Sequence, residues 1–124
     1  MSEKKRILVL DDEEAIHYIF DRMLGEDYEL IHATSIQESL AKCFQVKELD
    51  LVITDVFLGG ETGIELVGEI REFRKNIPII IMSAYADEMT EKVIANIKEM
   101  FHCEFVDKPF ENKTIENLVK HLLR

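Results

Sequence analysis

LDLVITD, Leu49–Asp55, is the stretch whose reading decides the fold. Its centre is apolar without alternation, and the run stops on a carboxylate. A strand with one wet face alternates apolar and polar residues, whereas a strand covered on both faces does not. LDLVITD therefore reads as a central strand of a parallel sheet. PIIIMS, residues 78–83, reads the same way. RILVL, YELIHA and CEFVD are further short apolar runs, which bring the strand set to five.

Between these runs, apolar residues recur three and four apart, the spacing of one helix face. Ala15, Ile16, Ile19, Phe20, Met23 and Leu24 form the first face, with Gly25 as its C-cap. Ile36, Leu40 and Phe44 form the second, with Ser35 as N-cap. Ile64, Leu66, Val67, Ile70 and Phe73 form the third, and Val93, Ile94, Ile97 and Phe101 the fourth. Ile115, Leu118, Val119 and Leu122 form the last. Strands alternating with helices predict an α/β fold, a doubly wound parallel sheet with helices on both faces. Met82, Met89 and Met100 are expected to be core filler.

The 124 residues suit one domain with one core, and no linker or repeat divides them, so a single domain over 1–124 is expected. Hydrophobic residues make up 47% and charged residues 32%, a globular rather than a disordered balance. The N-terminal apolar run is too short for a signal peptide, which points to the cytoplasm. A formal net charge of -10 repels nucleic acid and argues against direct binding of it. Cys43 and Cys103 read as reduced thiols. The four histidines lie far apart in sequence without metal-ligand spacing and read as structural.

In doubly wound sheets the ligand sits beyond the carboxyl ends of the strands, where strand order reverses. The residues there are Asp11 and Asp12, Asp55, Ser83, and Lys108 with Pro109. Three carboxylates held close need a counter-charge, and a hard dication such as Mg²⁺ prefers their oxygens. A solvated acidic loop capping the first helix is the alternative for ILVLDDEEA, since acids favour helix N-termini. Glu13 and Glu14 read as such helix-start residues. Asp55 reads as a turn residue or as a nucleophile towards phosphorus, with Lys108 offsetting charge and Ser83 donating to a phosphoryl oxygen.

VLDDEEA, ITDVFLGGETGIEL, IIIMSAYAD and FVDKPF, in this order, resemble the receiver domain of two-component response regulators, of the single-domain chemotaxis-regulator kind. The resemblance covers essentially the whole chain. It implies a flavodoxin-like (βα)5 fold with strand order 2-1-3-4-5. It implies that Asp55 accepts a phosphoryl group from the phosphohistidine of a sensor kinase or a phosphotransfer protein. Asp11, Asp12, Asp55 and the backbone carbonyl of Phe57 would hold Mg²⁺, with Mn²⁺ as a substitute and Asp12 as a direct ligand. Ser83 and Phe105 would be the switch pair, and Lys108 the cation that meets the phosphoryl group. The Lys108–Pro109 bond would be cis. Phe57 and Tyr85 would tune self-dephosphorylation, and two bulky aromatic groups there predict a slow rate. Output would pass to an unknown partner through the fourth helix, fifth strand and fifth helix, from a monomer or weak homodimer.

The chain departs from the family pattern at Leu58-Gly59, where Met-Pro is frequent, and Gly59 and Gly60 predict a flexible loop. It also has Phe101-His102-Cys103 where a Gly-Ala pair is frequent. A Mg²⁺-dependent phosphohydrolase would want an acid two positions after the nucleophile, where Phe57 stands. A flavodoxin-like redox carrier would want a phosphate-binding loop where DDEE stands. A purely interacting receiver relative without phosphorylation is the remaining rival.

Overall fold

The computed structural model describes the backbone of residues 3–58, 61–84 and 88–124. Five strands, β1 (Arg6–Leu10), β2 (Glu29–Ala33), β3 (Leu49–Asp55), β6 (Ile79–Ser83) and β7 (Glu104–Asp107), form one sheet. Between β3 and β6 lie two-residue strands, β4 (Phe57–Leu58) and β5 (Glu61–Thr62), paired antiparallel. The helices are α1 (Glu14–Leu24), α2 (Ile36–Gln45), α3 (Gly63–Phe73), α4 (Glu88–Met100) and α5 (Asn112–Leu122). The sheet order is β2-β1-β3-β6-β7, with every pair parallel. Counting sheet strands alone, that is 2-1-3-4-5.

Side chains alternate across the pleat, so each strand feeds two cores. Leu8, Leu10, Val52, Ile79 and Ile81 pack on one face with Leu66, Val67, Ile70 and Ile97 of α3 and α4. Ile7, Val9, Leu51, Ile53, Ile80 and Met82 pack on the other with Phe20 and Leu24 of α1 and Ile115 and Val119 of α5. The lack of alternation in LDLVITD is the trace of this double burial.

Ser35 caps α2, its hydroxyl accepting from the Glu38 N–H at 3.1 Å. Glu38 reaches back to the Thr34 N–H at 2.7 Å. Gly25 ends α1 in right-handed geometry, φ -65° and ψ -21°, not the left-handed turn usual for a C-cap glycine. A Cβ at Gly25 would lie 2.4 Å from the Asp21 carbonyl oxygen, so the close approach rather than φ demands glycine.

Three sequence expectations are corrected. Phe44 is 67% exposed, and the buried stripe of α2 runs through Ser39 and Cys43 instead. Ala15 and Ile19 are exposed on α1, leaving Phe20 and Leu24 as its buried anchors. Met82 is buried, but Met100 is exposed. Gly59, Gly60 and Tyr85, and the side chains of Ile64, Phe73 and Met89, lie outside the described residues.

Candidate functional site

Strand order reverses between β1 and β3, since the chain moves to β2 on one side and to β6 and β7 on the other. Leu10 pairs with Thr54, so the next step along both strands sets Asp11 beside Asp55. Asp12 follows at the surface. Carboxylate oxygens of Asp11, Asp12 and Asp55 all lie within 4.8 Å of one another.

Lys108 follows β7 and reaches across the strand ends. Its Nζ donates to Asp11 Oδ2 at 2.8 Å and to Asp55 Oδ2 at 2.9 Å. Its backbone N–H donates to the Ser83 carbonyl at 2.7 Å, and the Lys108–Pro109 bond is cis. Phe110 packs against Phe20 of α1, with ring centroids 5.7 Å apart, and so anchors the loop that carries Lys108. Burial alone would push the Lys108 ammonium down. Its hydrogen bonds to Asp11 and Asp55, and their charges, outweigh burial and raise it above the ordinary lysine value. It is therefore cationic at neutral pH.

Asp11 is fully buried, and both its oxygens are engaged: Oδ1 accepts from the Glu13 N–H at 2.9 Å, and Oδ2 from Lys108. Asp55 is nearly buried, its side chain 14% exposed. Among the described residues its Oδ1 accepts no hydrogen bond, and Asp12 is exposed. Three carboxylates and one ammonium leave two net negative charges at the strand ends. Hard oxygen donors, a residual charge of two and solvent access on the Asp12 side fit a hydrated Mg²⁺.

Ser83 ends β6 and is buried. Its carbonyl binds Lys108, but its hydroxyl makes no hydrogen bond to the carboxylates among the described residues. Phe57 opens β4 two residues after Asp55, half-buried against the core. Phe105 stands apart from the carboxylates, paired with Ile81 and packed on the α3–α4 side of the sheet. Lys98 of α4 holds its ammonium 5.0 Å from the Phe105 ring centroid. The structure thus gathers Asp11, Asp12, Asp55 and Lys108, sets Ser83 and Phe57 beside them, and leaves Phe105 on another face.

One cluster has no precursor in the sequence reading. His17 of α1 and His32 of β2 approach to 2.5 Å between their Nδ1 atoms. Fifteen residues separate them, and only the α1 crossover onto the edge strand β2 brings them together. Sequence spacing carries no signal of it.

A sequence model of the response regulator receiver domain matches residues 7–120. The chain is 33% identical over 121 residues to the alkaline phosphatase synthesis transcriptional regulatory protein PhoP of Bacillus subtilis, covering 97% of this chain and 49% of that protein. It is 34% identical over 119 residues to the response regulator RR06 of Streptococcus pneumoniae, covering 95% and 52%. The chain spans about half the length of these curated relatives. In fold it is similar to the Vibrio cholerae chemotaxis protein CheY4, with a TM-score of 0.84 at 24% identity, covering 98% of this chain and 100% of that one.

Proposed function

The chain belongs to the response regulator receiver family, and from that premise we propose that Asp55 is its phosphoacceptor. A receiver domain is a regulatory signalling domain, the phosphoacceptor of two-component systems. The reading assigns one receiver domain to residues 1–124. The observation that carries it is Lys108 bridging Asp11 and Asp55 beside Asp12.

The Asp55 carboxylate attacks the phosphorus of a phosphohistidine in line. The P–N bond breaks, the electron pair leaves on the imidazole nitrogen, and an aspartyl phosphate remains. Lys108 offsets the charge on the phosphoryl oxygens. Asp11, Asp12, Asp55 and the Phe57 carbonyl would hold Mg²⁺ or Mn²⁺, and Asp11 also positions Lys108 and the turn at Glu13. When bound, the cation supplies Lewis-acid neutralisation of the transferring group. The donor is a sensor histidine kinase or a phosphotransfer protein. Ile16, Ile19, Ala84, Pro109 and Phe110 line an apolar groove bordering Lys108, which supports docking of the donor there.

The Ser83 hydroxyl turns towards the phosphoryl group, and Phe105 leaves the Lys98 ammonium and rotates inward. The α4–β7–α5 face then changes its affinity for an output protein. Such a shift needs a gap of only a few kcal/mol between the two states. Phe57 shields the acyl phosphate from water and slows its hydrolysis; Tyr85, the second rate-tuning position, lies outside the described residues. Among the described residues no helix is long and apolar enough to cross a membrane, and cytoplasmic action fits a cytosolic phosphodonor.

Incubation with Mg²⁺ and a small phosphodonor, followed by intact mass, tests the reading. One added phosphoryl group, absent with Asp55→Asn and with chelator, is the expected result. An equal gain in the variant rejects Asp55 as acceptor.

A further inference from the structure

The histidine pair between α1 and β2 lies outside the phosphoacceptor assignment, and its hydrogen bonds fix its protons. His32 Nε2 lies 2.7 Å from Asp21 Oδ1, and His17 Nε2 lies 2.7 Å from the Asp11 carbonyl oxygen. Both oxygens only accept, so each Nε2 carries the hydrogen. A neutral imidazole has one N–H, and both are then used. Two Nδ1 lone pairs remain, with the Nδ1 atoms 2.5 Å apart and the ring planes at 81°. Facing lone pairs repel, so a positive centre belongs between them, a shared proton or a metal ion, and the groups around the rings favour the metal.

The surroundings match those of metal-bound histidines, which donate their second N–H to a carboxylate or a backbone carbonyl. Here His32 has the carboxylate and His17 the carbonyl. Both side chains are part-exposed, so water can complete a coordination shell. Imidazole nitrogen favours late first-row metals over Mg²⁺. Two nitrogens on a tetrahedral Zn²⁺ stand about 3.3 Å apart, so the rings need part by less than about 1 Å. Lys42, which donates to the His32 carbonyl, is the nearby opposing charge, and Asp21 offsets it. We propose that His17 and His32 form a surface site for a late first-row divalent cation such as Zn²⁺, separate from the acidic cluster, with Asp21 and the Asp11 carbonyl orienting the two rings.

The test is a Zn²⁺ titration of the whole chain in excess Mg²⁺, which saturates the acidic cluster, followed by NMR of the histidine ring protons. The expected result is saturable movement of the His17 and His32 signals with one equivalent, while His102 and His121 stay in place. Asp21→Asn should weaken the binding about tenfold, and His32→Ala should abolish it. The wild-type spectra decide even if a variant misfolds. Unmoved His17 and His32 signals at high Zn²⁺ would overturn the proposal, leaving a shared proton between the rings. Equal Zn²⁺ affinity in a folded His32→Ala chain would overturn it too.

Discussion

Lys108 Nζ lies 2.8 Å from Asp11 Oδ2 and 2.9 Å from Asp55 Oδ2, so one ammonium ties the end of β1 to the end of β3. Neither carboxylate has another cation within ion-pair distance among the described residues. Asp11 is fully buried, and Lys108 is its ion-pair partner.

Lys108→Ala should therefore destabilise the metal-free protein by about 3–5 kcal/mol, since it strands a buried carboxylate. Mg²⁺ should restore part of the loss, because a ligand bound only by the folded state stabilises it. Urea unfolding with and without Mg²⁺ measures both effects. A variant as stable as wild type, or one indifferent to Mg²⁺, would show that the bridge carries little energy.

Phe57 sits half-buried two residues beyond Asp55. Phe57→Asn replaces an apolar shield with a group that can orient water. The phosphorylated form should then decay faster than wild type, whose own decay should take far longer than seconds. Intact mass over time after donor removal reads the two lifetimes. A wild-type phosphoprotein that vanishes within seconds contradicts the shielding role.

The corrected face of α2 and the observed face of α4 make a paired stability test. Ile97 is fully buried, and Ile97→Ala should cost about 2–4 kcal/mol. Phe44→Ala, at a 67% exposed position, should cost less than about 1 kcal/mol. Chemical denaturation of the two variants compares them. Similar losses would mean that Phe44 packs inward.

The Glu38 carboxyl lies below the ordinary glutamate value, chiefly because the Thr34 N–H donates to it, with Lys42 adding to the effect. A lowered folded value stabilises the protein above the unfolded value and is lost as pH falls through the folded one. Glu38→Gln should thus lower the melting temperature at neutral pH and flatten its decline below about pH 4.5. A steep acid limb unchanged in Glu38→Gln would assign that limb to other carboxylates.

LDLVITD and PIIIMS disclosed the doubly wound sheet because burial on both faces removes alternation. The strand-end rule then placed Asp11, Asp55 and Lys108 on one rim. Phe44 misled because a spacing of four also fits a side chain just off the buried stripe, and small Ser39 and Cys43 lie where α2 meets the sheet. The β4–β5 pairing was illegible because two residues per strand give no period to read. His17 and His32 meet only through the crossover, and a contact between an edge strand and a helix has no one-dimensional spacing.

The most direct measurement is to phosphorylate the protein with Mg²⁺ and a small phosphodonor, reduce it with borohydride, and map the modified peptide. An acyl phosphate is reduced to an alcohol, so the account predicts homoserine at Asp55, with Asp11 and Asp12 intact. Homoserine at Asp11 or Asp12, or no reducible site in a protein that has gained phosphate, would contradict it.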